Sequence, residues 1–245
     1  MAIKVAIIGL GIMGRRMLSH MRRHNNFEPD YLWDPNQSAC QRAKLLDSKS
    51  YIMDSASDAI SKADLVYLAC PPTVREPYAL EAAAAGKALF LEKPFGVNID
   101  DSARMMGRLK SFDVPVAVNF TQASGIALTD LLAAKKRGDM GDLLGVDIVV
   151  TYPDWPRLWQ RDADWLRFRA EGGMTREVIS HFLFFSERVL GPLSLLSAHT
   201  TYPEDSSLCE TAVLARLVSE KKQEVSILAT VGGAPVSYTH LTLPT

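Results

Sequence analysis

The chain is poor in cysteine, in net charge and in long apolar runs. Its three cysteines, Cys40, Cys70 and Cys209, are odd in number and scattered. Neither a disulfide framework nor metal-ligand spacing is expected, and the thiols read as free, buried groups in a reducing cytoplasm. Lys and Arg total 27 against 28 Asp and Glu, a net charge of -1. So even a balance provides no general field for nucleic acid or a membrane surface. No apolar run approaches the ~18 residues that a membrane helix needs. A strand-like run begins at Ile3, so no leader is expected ahead of it. Internal repeats and low-complexity tracts are absent. What remains is a globular composition, 47% hydrophobic and 22% charged over 245 residues. That suits one large or two modest domains with a sizeable core.

The first twelve residues of that run organise the chain. Ile3-Lys-Val-Ala-Ile-Ile-Gly-Leu-Gly-Ile-Met-Gly14 reads as a buried strand, a glycine turn and the start of a helix. Gly9, Gly11 and Gly14 fit G-x-G-x-x-G, and each has its own reason. Gly9 lets the backbone turn off the strand, Gly11 lets a pyrophosphate approach the main chain, and Gly14 lets the helix pack close. Amides at the helix start then receive phosphates. The motif alone is weak. Its context strengthens it: an apolar strand before, an amphipathic helix after, and Asp34 at the end of the next strand, 20 residues beyond Gly14. A carboxylate there accepts hydrogen bonds from ribose hydroxyls and repels a 2′-phosphate. Pro35 follows, with no arginine immediately beside it. NAD is therefore expected as cofactor, with NADP as the alternative.

Further strands are expected over 50–53, 64–70, 88–91 and 114–120, with helices over 37–46, 78–85 and 100–111. Six short apolar strands alternating with helices imply a doubly wound parallel sheet covered on both faces, spanning 1–120. The pattern then changes. Helices over 126–137 and 174–190 accompany strand-like runs at 143–152, 193–202, 211–219 and 224–232, with a hairpin at 220–223. The expectation for 121–234 is a partial α/β domain with an open, largely antiparallel sheet. Between them, the loop with Asp154, Trp155, Arg157, Trp159, Arg161, Asp164, Trp165 and Arg169 offers aromatic faces for sugar rings and guanidinium groups for carboxylates. A packed surface loop is the plainer reading. Residues 235–245 depart from the pattern, and Val236–Thr245 resembles translated adapter sequence. The expectation is a natural sequence that ends near Ala234 or Pro235 here, leaving the second domain incomplete.

With Glu92-Lys93-Pro94 at the end of the fifth strand, the chain resembles the Gfo/Idh/MocA family of nicotinamide-dependent oxidoreductases. The marks are the glycine turn, Asp34, Cys70-Pro71, the segment Ala85 to Phe95, Asn119, and the run from Gly172-Gly173 to His181. The resemblance implies a Rossmann domain followed by an α/β domain whose open sheet commonly makes oligomer contacts. It also implies hydride exchange with a sugar, polyol or related hydroxy or keto compound, and a homo-oligomer for the full-length protein. Lys93 would be the acid/base, with His181 hydrogen-bonding the reacting oxygen. Burial and a positive nicotinamide would suit an amine to that task. Cofactor contacts would come from Gly9, Gly11, Ile12, Met13 and Gly14, from Asp34, Cys70, Pro71 and Arg75, and from Glu92, Lys93 and Asn119. Two positions depart from the family pattern. Phe184 stands where an aspartate often follows the histidine, and Arg75 where a histidine is usual. Glu177, one helical turn before His181, is the candidate to replace the missing carboxylate. A second reading is a non-catalytic nicotinamide-binding sensor or regulatory protein, and a third is a fragment that binds cofactor without turnover.

Overall fold

A computed structural model describes residues 2–233 and 236–240. The chain divides into two compact units, Met1–Asn119 and Phe120–Thr245.

In the first unit six strands, β1 (Ile3–Ile8), β2 (Phe27–Trp33), β3 (Tyr51–Ile52), β4 (Leu65–Leu68), β5 (Ala88–Leu91) and β6 (Val116–Val118), form one sheet. Their order is β3-β2-β1-β4-β5-β6. Every neighbouring pair is parallel. The linking helices are α1 (Ile12–Arg22), α2 (Gln37–Leu46), α3 (Ala56–Lys62), α4 (Arg75–Ala84) and α5 (Ile99–Lys110). Alternate strand residues feed two cores, as the two-residue period of a strand requires. Ala6, Ile8, Val66, Leu68, Leu89 and Leu91 lie in one core with residues of α3, α4 and α5. Val5, Ile7 and Tyr67 lie in the other with residues of α1 and α2. Val5 to Ile8 are wholly buried, which is why β1 reads as an unbroken apolar run. The chain leaves β1 toward β2 but reaches β4 on the other side, so the sheet reverses direction between them. In such sheets the ligand crevice opens beyond the carboxyl ends of those two strands.

One helix starts earlier than expected. Pro72–Val74 forms a 3-10 turn that leads directly into α4 at Arg75. Proline suits the first helical position, so the two prolines end the strand and begin the helix together.

Arg22, at the end of α1, ties down the outer edge of this sheet. Its guanidinium lies 2.7 Å from the Asp47 carboxylate and 3.0 Å from that of Asp30. It also donates to Ser50 Oγ at 3.1 Å. Burial would raise the Asp47 carboxyl, but hydrogen bonds from Ser50 and Arg22 outweigh it and hold the group below the usual carboxylate range.

In the second unit β7 (Gly145–Tyr152), β8 (Leu193–Thr201), β9 (Ala212–Ser219), β10 (Glu224–Val231) and β11 (Val236–His240) stand in the order β11-β7-β10-β9-β8. Only β7 and β10 run parallel among these pairs. The helices α6 (Ile126–Arg137) and α7 (Ser180–Leu190) share a core with Val146, Ile148, Val225, Ile227 and Ala229. Two expectations are corrected. The sheet does not stop at the β9–β10 hairpin, because Val236–His240 pairs antiparallel with β7. An open strand edge is a row of unpaired amides and carbonyls, and a β-favouring segment satisfies it. The run before α7 is also not α-helical throughout, since Thr175–Ile179 is a π-helical turn. Ala234 and, within the expected non-native tail of 235–245, Pro235 and 241–245 lie outside the described residues.

The depressed Asp47 group yields a test. Its stabilising share is present above the ordinary carboxylate pKa of ~3.9 and is lost as pH falls through the lower folded value. Asp47→Asn is expected to cost about 1–2 kcal/mol at pH 7. In thermal melts the gap to the parent should narrow steadily below about pH 4. A gap that stays constant down to pH 2 would assign Asp47 a packing role instead.

Candidate active site

The glycine turn sits at the mouth of the β1–β4 crevice. Gly9 has φ +96°, and a Cβ on it would lie 2.6 Å from the backbone nitrogen of Cys70. Gly14 is as tightly constrained, since its Cβ would lie 1.9 Å from the Gly9 carbonyl oxygen. Both are glycines because the protein's own backbones meet there. Gly11 differs. Nothing lies within 4 Å of its Cβ position, and its φ of -64° suits any residue. Its small size is not required by internal packing. It is the N-cap of α1 and offers no side chain to cap it, and the first turn holds no acidic residue. The leading amides of a helix, here those of Ile12 and Met13, have no intrahelical partner and carry the positive end of the dipole. An open glycine beside uncapped amides fits the pyrophosphate of a dinucleotide.

Asp34 closes the other side of the turn. One carboxylate oxygen accepts the Leu10 amide at 2.6 Å and the other the Asn36 amide at 2.8 Å. Arg15 donates to the Leu10 carbonyl at 2.7 Å. The turn is thus held by both polar groups of Leu10, and Asp34 stays half-exposed at the strand end.

The segment after β5 is built on a buried polar cluster. Leu89 and Leu91 face the α3–α5 core, so alternation turns Glu92 to the side of Phe90 and Tyr67. Glu92 is only 4% exposed. Its Oε1 accepts the Tyr67 hydroxyl and the Asn119 amide, the latter at 2.6 Å. Burial, with the Glu92 charge adding to it, pushes the Tyr67 phenol far above its usual range. Arg75 is 1% exposed. It donates to the carbonyls of Glu92, Pro94 (2.5 Å) and Cys70 (2.8 Å). Burial draws its guanidinium below its ordinary value and pushes the Cys70 thiol up. Glu92, Asn119 and Arg75 were expected as cofactor contacts. The structure buries all three and shows them hydrogen-bonded to one another's elements, Glu92 to Tyr67 and Asn119 and Arg75 to three carbonyls, while Arg75 Nε has no hydrogen-bond partner among the described residues. Lys93 is half-buried at the end of this segment.

The second unit places His181 in the first turn of α7, 9% exposed. Its ring meets the edge of Phe120 at 5.6 Å, and Phe184 stacks on Phe120 at 4.5 Å. Where a carboxylate was missing, an aromatic group packs. The Glu177 carboxylate accepts Gln160 Nε2 at 3.0 Å and lies 3.9 Å from the Arg157 guanidinium. Arg157 in turn lies over the rings of Trp159 (4.7 Å), Tyr152 (5.1 Å) and Trp155 (5.8 Å). The expected substrate-facing loop therefore carries a packed cation–aromatic centre. Two positions escaped the sequence reading. Gln160, 3% exposed, links Arg157 to Glu177. Glu210 accepts the Thr175 amide at 2.6 Å and occupies the space beside Gly173, whose Cβ would meet it at 2.7 Å. Gly172-Gly173 was the available signal, since a glycine pair before a helix implies a close neighbour. Among the described residues, no group of three or more His, Cys, Asp or Glu could hold a metal. No described helix is long and apolar enough to cross a membrane.

A reversed parallel sheet, a glycine turn on an uncapped helix and an acid at the second strand end define a dinucleotide-binding unit. Residues 3–120 match the GFO_IDH_MocA family model, described as an oxidoreductase family with an NAD-binding Rossmann fold. Inositol 2-dehydrogenase of Gluconacetobacter diazotrophicus is 29% identical over 154 residues, covering 60% of this chain and 45% of that protein. The chain spans less than half the length of the curated relatives it matches. The WlbA dehydrogenase of Bordetella pertussis, solved with NADH and UDP-GlcNAcA, superposes with a TM-score of 0.84 at 23% identity, over 96% of this chain and 68% of that one. Scyllo-inositol dehydrogenase of Lactobacillus casei, solved with NAD(H) and scyllo-inositol, gives 0.83 at 15% identity, over 98% and 72%. These likenesses show a common fold, and nothing in them favours a non-catalytic sensor.

The glycines separate folding from binding. Gly14→Ala is expected to cost about 1–3 kcal/mol in denaturant unfolding, because two backbones must part. Gly11→Ala should stay within about 0.5 kcal/mol of the parent while weakening NADH binding, read by nicotinamide fluorescence. Unchanged NADH affinity in Gly11→Ala would place the pyrophosphate elsewhere.

Proposed function

We propose that this chain carries the cofactor and acid/base machinery of an NAD(H)-dependent oxidoreductase. Its substrate would be a sugar, a polyol such as an inositol, or a related hydroxy or keto compound. The observation that carries the reading is Lys93, presented at the carboxyl end of β5 on an anchored segment beside the crevice. A bound nicotinamide dinucleotide supplies the hydride acceptor or donor. The chain's own residues do the rest. The turn from Gly9 to Gly14 and the first amides of α1 bind the pyrophosphate. Cys70 and Pro71 form the β4 side of the crevice. Asp34, held by two amides, presents its carboxylate to the ribose hydroxyls and disfavours a 2′-phosphate, which supports NAD over NADP. Lys93 Nζ takes the hydroxyl proton in oxidation and returns a proton to the carbonyl oxygen in reduction. His181 is the second group proposed for the reaction, by hydrogen bonding or by sharing the proton transfer. Glu177, four residues before it, orients the imidazole while sharing its charge with Gln160 and Arg157.

Homo-oligomer formation belongs to the same reading. It is supported by Leu195, Leu196, Leu214 and Leu228, exposed on the second sheet. A cytoplasmic location is supported by three free cysteines, all buried.

The test is titration of the purified chain with NADH and NADPH, in parallel with initial rates on a panel of inositols and sugars. Tighter binding of NADH is expected, together with turnover that falls by about 10²–10⁴ in Lys93→Ala. Asp34→Ser should narrow the NADH preference. Binding without turnover by the parent would overturn the enzymatic reading for this chain, and no binding would overturn the cofactor site.

A further inference from the structure

Two loops face each other at the crevice mouth, Cys70-Pro71-Pro72 after β4 and Glu92-Lys93-Pro94 after β5. The ladder between these strands ends with the Glu92 amide donating to the Leu68 carbonyl at 3.0 Å. Beyond that point three of the next residues are prolines, which have no N–H to donate. Pro71, Pro72 and Pro94 therefore offer no amide to the carbonyls that the loops present. Buried carbonyls without donors are costly.

Arg75 resolves this. Its guanidinium supplies donors to three of these carbonyls, two from Nη1 to those of Glu92 and Pro94 and one from Nη2 to that of Cys70. The gripped carbonyls on the second loop belong to the residues on either side of Lys93. The planar fork of a guanidinium spans such a set, whereas an ammonium acts as a point charge. Residue 92 is held a second time through its side chain, by Tyr67 from β4 and Asn119 after β6.

We infer that Arg75 is a positioning residue for Lys93: a buried guanidinium that stitches the two proline-bearing loops together by their carbonyls and so fixes the backbone from which the Lys93 amine projects. This rests on the acid/base reading of Lys93 and deepens it. Arg75 acts through the segment and does not touch substrate.

The experiment compares the parent with Arg75→Lys, Arg75→Met and Lys93→Ala. Three quantities are read: the NADH dissociation constant, kcat and KM on the inositol and sugar panel, and the rate of Lys93 labelling by trinitrobenzenesulfonate. Labelling is followed by mass spectrometry relative to the exposed Lys62, with and without NADH. Arg75→Met is expected to lower kcat by about 10–100-fold, with KM and NADH affinity within about 3-fold of the parent. Its Lys93/Lys62 labelling ratio should shift several-fold, and Arg75→Lys should recover part of both effects. A labelling ratio equal to the parent's overturns the inference. So does a loss of NADH affinity that matches the loss of kcat, which would make Arg75 a cofactor contact. Should Arg75→Met not fold, Arg75→Lys, which keeps the buried charge, decides by the same ratio. If the parent turns over no panel member, the proposed activity fails on that arm, and the labelling ratio still decides the role of Arg75.

Discussion

The first unit depends on a contact between backbones. Where β1 ends, Gly9 lies so close to the main chain of residues 69 and 70 that no side chain could intervene, and Gly14 lies as close to Gly9. Three elements therefore meet with nothing between them: the end of β1, the end of β4 and the first turn of α1. Such closeness has two consequences. It sets the helix axis against the sheet, and it brings the uncapped amides of α1 to the crevice. Gly11, pointing into open space, is the one glycine of the three that internal packing does not explain. A purely structural reason accounts for two positions and leaves the third to a ligand.

Around that contact the molecule solves a second problem, the satisfaction of polar groups where strands end and helices have not yet begun. At the end of β2, Asp34 takes two backbone amides. At the ends of β4, β5 and β6, Tyr67, Glu92, Asn119 and Arg75 form a buried set in which each side chain answers a group left by another element. A buried carboxylate or guanidinium is costly alone, and hydrogen bonds offset that cost here, although Arg75 Nε has no partner among the described residues. In the second unit Glu210 caps the π-helical turn before α7, while Gln160 and Glu177 hold the guanidinium of Arg157. A π turn inserts an extra residue into a helix and is frequent at functional sites. Here it runs directly into α7, whose second residue is His181.

Much of the fold was legible because its signals are local. The apolar run of β1, the spacing of the glycines, Asp34 at a strand end and the alternation of β10 each follow from backbone geometry within a few residues. The parallel order of the first sheet followed from the alternation of strands with helices. Less legible were features set by residues distant in sequence. Arg75 resembles an exposed helix-start residue until Glu92, Pro94 and Cys70 surround it. Glu92 resembles a charged strand end until Tyr67 and Asn119 meet it. The pairing of residues 236–240 with β7, some 85–95 positions earlier in the chain, has no local signature. The π-helical turn was also invisible, because an ordinary helical period continues through it.

By itself, then, the sequence determined where strands and helices lie in the first unit, that a dinucleotide fits the glycine turn, and which lysine and histidine are candidates for chemistry. These follow from short-range sterics, from periodicity and from the special freedom of glycine. Only the tertiary structure decided which charged groups near Lys93 are buried and hydrogen-bonded within the protein. Burial and hydrogen bonding depend on which strands are neighbours, and a side chain's partners come from elements far apart along the chain. Arg75 is the clearest case, for its sequence neighbours say nothing of the three carbonyls that its guanidinium joins.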